Sequence, residues 1–133
     1  MNISIVLSTH AAKFEAATFK GDFEQNAVRI AGYGYNGIEL AVRDPLLVNT
    51  ETIKTVVDSI GVKVPAVGTG QAWGEEGLSF TDPDPAVRKK AVDRIKTHVP
   101  LAARLNSVLI IGLVRGIVQE GVDESRAREW MEE

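Results

Sequence analysis

Residues 64–85, VPAVGTGQAWGEEGLSFTDPDP, run from an apolar pattern through a glycine-rich stretch to the start of a helix. The apolar pattern begins one residue earlier, and KVPAVG, residues 63–68, is short and rich in valine, as a buried strand is. Asp84-Pro85 sets an N-capping side chain before a proline at the first helical position. We expect the long connection between strand and helix to be a loop, with the acidic pair Glu75-Glu76 in solvent.

The glycines of this connection do not form a nucleotide-binding loop. Gly68 and Gly70 match the first two positions of the G-x-G-x-x-G dinucleotide pattern, but Trp73 takes the third. That pattern also belongs after the first strand of a sheet and directly opens a helix. Two interpretations stay open: the glycines only turn the backbone sharply, or this long loop also contacts a ligand through Gln71 and Trp73.

The chain on both sides repeats the order of strand and helix. Strands are predicted at Ile3–Thr9, Gly37–Val42, residues 63–68 and Ser107–Val114, each followed by an apolar helical period or its beginning. Four strand–helix units in sequence predict a parallel sheet with right-handed crossovers. His98 lies inside the third predicted helix, where a packing or surface role is expected.

Composition limits the classes of function. The chain has 133 residues, 44% hydrophobic and 25% charged, a formal net charge of −3 and no cysteine. We therefore expect a single domain over residues 1–133, with no disulfide, thiolate metal site or cysteine nucleophile. The acidic balance predicts no nucleic-acid partner, and the absence of a signal peptide or long apolar run predicts a cytoplasmic protein with no membrane partner.

Three stretches carry a resemblance to a known family: GYNGIELAVRDP (34–45), AVGTGQAWGEEGLSFTDPD (66–84) and VPLAARLNSVLIIGLVRG (99–116). Together they resemble the sugar phosphate isomerase/epimerase family, the xylose-isomerase-like β/α barrels. The resemblance implies a TIM barrel and a small-molecule sugar or sugar phosphate as substrate. It also implies a divalent metal (Mn, Mg, Co or Zn) that assists proton transfer between adjacent sugar carbons.

A barrel of this kind needs ~250 residues and eight strand–helix units. The four units predicted here therefore correspond to about half of such a barrel, the N-terminal half. In the family the metal ligands, two glutamates, an aspartate and a histidine, lie on the later strands. The two glutamates usually also serve as acid and base. We therefore assign no catalytic and no metal-binding residue to this chain, and expect it to be inactive alone.

Polar side chains at the ends of the predicted strands are the expected share of the substrate site, because strand ends in a parallel barrel meet at one face. They are Thr9, His10, Glu39, Arg43, Gln71, Trp73 and Arg115. Trp73 suits stacking on the C–H face of a sugar, and Arg115 suits bidentate pairing with a phosphate or carboxylate. Simpler roles stay open: an ion pair with a neighbouring strand for Glu39, and mutual neutralisation for Arg43 and Asp44.

Three alternatives accompany the isomerase interpretation. The chain could be a non-catalytic half barrel or binding module that forms a homo-oligomer, since open sheet edges favour pairing. An AP-endonuclease-like barrel is disfavoured because Gln71 and Gly112 stand where histidine zinc ligands are expected. An open doubly wound sheet of the phosphoacceptor type is disfavoured because no aspartate ends the third strand.

Overall fold

The computed structural model describes residues 1–12 and 17–132. The strands are β1 (Ser4–Ser8), β2 (Phe19–Lys20), β3 (Gly37–Ala41), β4 (Lys63–Gly68) and β5 (Val108–Ile110). The helices are α1 (Phe23–Gly32), α2 (Thr50–Ile60), α3 (Gly70–Glu76), α4 (Pro85–Leu105) and α5 (Glu124–Glu132), with 3-10 turns at Pro45–Leu47 and Leu113–Arg115.

All the described strands are parallel and form one sheet. β1, β3, β4 and β5 lie side by side in chain order, and the two-residue β2 pairs with the other edge of β1. The predicted strands are therefore confirmed in order and direction. The parallel α/β architecture, with about four of the eight barrel units, is confirmed as well.

The three long helices cover a single face of this sheet. Alternate strand residues, among them Leu7, Ile38, Leu40 and Val67, are fully buried against apolar side chains of α1, α2 and α4. α1 packs beside α2, and α2 packs beside α4. Helices in a doubly wound fold cover both faces of the sheet, whereas a barrel keeps them outside. This arrangement is that of a barrel wall.

The opposite face of the sheet is the inner face of the barrel. The register places Val6, Glu39, Ala66 and Val108 in one layer and Ser8, Ala41, Gly68 and Ile110 in the next, toward the carboxyl ends of the strands. Val108 is 68% exposed and Ile110 37%. Apolar side chains that face the barrel axis therefore remain open to solvent on this side.

Two sequence expectations are wrong. The predicted strand Ser107–Val114 is shorter, because Val114 turns away to pack with Ala72, Leu78 and Ala91 in a second small core. The apolar residues of this run are therefore divided between two cores, since Leu109 packs against the main core and Val114 against the second. The connection after β4 is not a loop throughout, since residues 70–76 form α3, whose first turn buries Gln71 and Ala72.

A bidentate ion pair joins α2 to α4 and gives the fold a pH-dependent contact. Arg104 donates from Nε and NH2 to the two carboxylate oxygens of Glu51, at 2.6 and 2.7 Å. The hydrogen bond from Arg104 lowers the pKa of the Glu51 carboxyl below its ordinary value of 4.5. A carboxyl whose folded pKa is lowered stabilises the fold above its unfolded pKa, and this contribution is lost as the pH falls through the lowered value.

We expect Glu51→Gln to lower the free energy of unfolding at pH 7 by a small amount, because both side chains are exposed. The difference from the wild type should begin to shrink near pH 4.5 and should be lost as the pH falls through the lowered pKa of Glu51. Urea unfolding at pH 7 and pH 3 measures it, with Glu120→Gln, at an exposed position, as the control. A difference as large at pH 3 as at pH 7 would contradict the ion-pair explanation.

Candidate functional site

The carboxyl ends of the parallel strands bring most of the predicted site residues to one edge of the sheet. Thr9 and His10 directly follow β1, and Arg43 follows β3. Gln71 and Trp73 lie on α3, which follows β4, and Arg115 ends the 3-10 turn after β5. Ligands of parallel α/β sheets bind at this edge.

Glu75 joins the loops after β1 and β3 to α3. Its Oε2 lies 3.3 Å from Nε2 of His10 and accepts a hydrogen bond of 3.4 Å from NH1 of Arg43. Its side chain is only 13% exposed. The expectation of a solvated loop charge is therefore wrong for Glu75, because α3 turns this carboxylate inward.

Arg94 of α4 adds further ion pairs to those that Glu75 makes with His10 and Arg43. Its two terminal nitrogens each lie 2.9 Å from a carboxylate oxygen of Glu76, and NH2 lies 3.2 Å from Oδ2 of Asp44. NH1 also donates to the carbonyl oxygen of Arg43 at 2.7 Å. The hydrogen bond to Glu76 raises the pKa of the Arg94 guanidinium, with a further contribution from Asp44. The guanidinium is thus a fixed positive charge between two carboxylates.

Arg43 and Asp44 do not neutralise each other, as one interpretation of the sequence allowed. Arg43 pairs with Glu75 and Glu76, while Asp44 pairs with Arg94. The two neighbours on the chain therefore reach different elements, α3 and α4. At the rim of the sheet, this network holds the loop that follows β3 in a fixed position relative to α3.

Gln71 is a buried part of this rim. It is 1% exposed, and its Nε2 donates a hydrogen bond of 2.9 Å to Oγ of Ser8 at the end of β1. Its Oε1, and Oε1 of Glu75 one helical turn later, are buried without a hydrogen-bond partner among the described residues. Residues four apart share one helix face, so both acceptors lie on the inward face of α3.

Trp73 lies on another face of α3 and lines a separate cavity of about 460 Å³. The lining residues are Trp73, Gly74, Gly77, Ser79, Asp82, Ile117 and Gln119. Asp82 accepts a hydrogen bond of 3.1 Å from Nε2 of Gln119 across this cavity's rim. An aromatic ring beside an amide and a carboxylate is a combination that suits a polyhydroxylated ligand, since it offers stacking and hydrogen bonds together.

The remaining predicted residues are divided between three further places. Thr9, His10 and Arg43 line a small cavity of about 60 Å³, and Arg115 lines one of about 370 Å³. Glu39 lies one layer deeper on the inner face of the barrel, and its side chain has no ion pair or hydrogen bond among residues 1–12 and 17–132. The alternative of an ion pair with a neighbouring strand is therefore not observed in the described part.

A cavity of about 400 Å³ also lies at the amino ends of the strands, lined by residues that include Asn2, Asn36 and Lys63. It is at the opposite end of the sheet from the predicted site residues. Barrel enzymes place their chemistry at the carboxyl ends. We therefore treat the rim at the carboxyl ends as the candidate site.

The residues of the described ranges do not fit a metal centre. No group of three or more histidine, cysteine, aspartate or glutamate side chains within them is arranged to hold an ion. Glu75 and Glu76 already neutralise arginines.

Sequence reasoning missed Glu75, Arg94 and Arg128, the last of which lines the same cavity as Arg115. The first was missed because residues 70–76 were expected to be a loop, so the four-residue spacing of Gln71 and Glu75 was not read as one helix face. Arg94 and Arg128 lie on helices, and only the packing of those helices against the rim brings their guanidinium groups to the strand ends.

None of the helices in the described part of the chain has both the length and the apolar character needed to cross a lipid bilayer. No curated protein matches the sequence. A family model described as xylose isomerase-like TIM barrel matches residues 28–133, which is more than half of the chain. The match confirms the resemblance seen in the sequence and agrees with the one-sided helix layer over a parallel sheet. The chain therefore belongs to the xylose isomerase-like TIM barrel family.

Proposed function

We propose that this chain forms the substrate-binding rim of a sugar isomerase or epimerase. The reaction takes a proton from the carbon next to a carbonyl and returns it to the adjacent carbon or to the same one, and needs an acid or base held at the substrate carbon. The divalent metal and the acid–base groups of such an enzyme are assigned to strands other than those described. The role of this chain is to bind and orient the sugar.

The observation that carries the proposal is Trp73 beside the cavity of about 460 Å³ at the carboxyl ends of the strands. An aromatic face attracts the C–H groups of a sugar, and neighbouring polar groups fix its hydroxyls. Asp82, Gln119 and Ser79 are the polar groups on the same lining. Family membership supports this use of the strand ends, since barrel enzymes bind ligands there.

The network around Glu75 has a supporting role in this proposal. It fixes α3, on which Trp73 lies, to the loops after β1 and β3 through His10 and Arg43. Gln71 adds a direct tie from α3 to β1. The aromatic face is therefore held before a ligand arrives, which reduces the entropy lost on binding.

Tryptophan fluorescence tests the proposal, because the chain has only two tryptophans. In a Trp130→Phe variant the signal comes from Trp73, and we expect a saturable change on titration with the ketose D-fructose. A Trp73→Phe variant, which keeps Trp130, should show no change. We expect Trp73→Ala to weaken binding about tenfold, since the stacking surface is lost; isothermal titration calorimetry measures this variant, which has no Trp73 fluorescence.

An absent response in the Trp130→Phe variant would contradict the proposal. So would an equal response in the Trp73→Phe variant, because the sugar would then not lie on Trp73.

A second candidate function is a binding module that pairs with another copy of the chain. It is favoured by the inner face of the sheet, where Val108 is 68% exposed. An exposed sheet face and a strand edge such as that of β5 are both sites where another chain can pack. Sedimentation velocity distinguishes the two candidates, because it measures whether the chain is a monomer or a dimer. A monomer that binds D-fructose supports the isomerase rim and contradicts the self-pairing module.

A further inference from the structure

Two arginines differ from the others in the contacts they make. Arg43, Arg94, Arg104 and Arg126 pair with carboxylates, and Arg29 and Arg88 lie over aromatic rings. Within residues 1–12 and 17–132, Arg115 and Arg128 do neither. Arg115 donates from Nε to the carbonyl oxygen of Gly112 at 3.2 Å, which leaves both terminal nitrogens available.

These two arginines line the same cavity. Its volume is about 370 Å³, and its wall comes from the turn after β5, from α5 and from Thr81. Glu124 is the one acidic residue of the lining. Two guanidinium groups and one carboxylate leave a net positive charge on the wall, although the whole chain carries −3.

The backbone around the cavity is held firmly. Gly116, next to Arg115, packs so closely on Ser79 and Thr81 that no Cβ atom would fit there. α5 is held to α4 by Trp130, whose ring lies 4.6 Å from the Arg88 guanidinium. Both arginine side chains therefore extend from a fixed backbone, which a binding site needs.

Like charges facing one cavity repel each other, and an anion between them turns this repulsion into attraction. The guanidinium fork matches the oxygens of a carboxylate or phosphate, and binds them through paired, charge-assisted hydrogen bonds. We propose that this cavity binds the acidic group of a small polyhydroxylated ligand through Arg115 and Arg128. The assignment of that ligand as an acidic sugar substrate rests on the proposed function, whereas the binding of the anion itself does not.

Titration with inorganic phosphate, followed by the NMR signals of the arginine Nε–Hε groups, tests the site in the full chain. We expect a saturable shift at Arg115 and Arg128. Loss of one charge-assisted contact should weaken binding about tenfold in Arg115→Gln and in Arg128→Gln. Glu124→Gln should strengthen binding, because a repelling carboxylate is removed.

Arg126→Gln is the matched control. Arg126 lies on the same helix, is exposed, and already pairs with Glu129 at 2.7 Å. Its replacement should leave phosphate affinity unchanged. The proposal is wrong if phosphate gives no saturable shift, or if Arg126→Gln weakens binding as much as Arg128→Gln, since the attraction would then be a general effect of charge.

Three small probes distinguish the acidic groups that would share this chemistry. Glycerol 3-phosphate, D-glycerate and glycerol carry a phosphate, a carboxylate and no charge, respectively. We expect one of the two acids to bind more tightly than inorganic phosphate, and glycerol to give no shift at Arg128. Equal binding of all three would overturn the proposal. The fluorescence of Trp73 with D-fructose is a separate measurement, so failure of the anion site and failure of the proposed function are distinguishable.

Discussion

Gly116→Ala is expected to lower the free energy of unfolding by about 3 kcal/mol or more, from overpacking and backbone strain together. Gly116 has φ +85°, a region that L side chains rarely adopt. An added Cβ would overlap Oγ of Ser79 and lie 2.5 Å from Oγ1 of Thr81. Both hydroxyl groups are buried and hydrogen-bonded to each other, so neither has room to move away. Chemical denaturation monitored by circular dichroism measures the loss.

Gly121→Ala is the control that separates strain from overlap. Gly121 has φ +82°, close to that of Gly116, but nothing lies within 4 Å of its Cβ position. Its replacement should cost only the backbone term, about 1 kcal/mol. Equal losses in the two variants would contradict the close approach of Gly116 to Ser79 and Thr81. Such a result would also remove the argument that the backbone beside Arg115 is fixed.

His98→Ala is expected to destabilise the fold by a similar amount, about 3 kcal/mol, from the cavity and the lost hydrogen bond from the ring N–H. The ring is fully buried, with Nε2 3.0 Å from the carbonyl oxygen of Val42 and Nδ1 2.9 Å from that of Arg94. It therefore ties α4 to the end of β3. The packing role predicted from the sequence is observed. The midpoint of urea unfolding measures the change.

Two further variants define the role of His98. Lys96→Ala, at an exposed position of the same helix, should change stability by no more than about 0.5 kcal/mol. His98→Gln should recover part of the loss, because its amide can still donate to a carbonyl oxygen. A His98→Ala variant as stable as Lys96→Ala would show that the contact with Val42 contributes little.

The sequence predicts the fold well where all the apolar residues of a run pack into the same core. KVPAVG is a strand over the predicted residues 63–68, because its valines pack on helices along one face. The prediction failed where apolar residues serve different cores. IGLV, residues 111–114 after β5, was expected to extend the strand, yet Val114 packs with Ala72 and Leu78.

The candidate site was only partly predictable, because strand order predicts which residues lie at the rim but not where their side chains point. Strand order is enough to bring Thr9, Arg43 and Arg115 to one edge of the sheet, because parallel strands end together. The direction of each side chain on that edge depends on α3 and on the ion pairs that fix it. Gln71 and Trp73 are two residues apart, and α3 therefore turns one to the buried side and the other to a cavity.

The central claim is that the chain is part of a barrel wall that binds a sugar at the carboxyl ends of its strands. Amide chemical shifts of the full chain, recorded during titration with D-fructose, test it most directly. We predict saturable shifts around Trp73, Gln119 and the other residues that line its cavity. Shifts that cluster instead around Asn2, Asn36 and Lys63, at the amino ends of the strands, would contradict the claim.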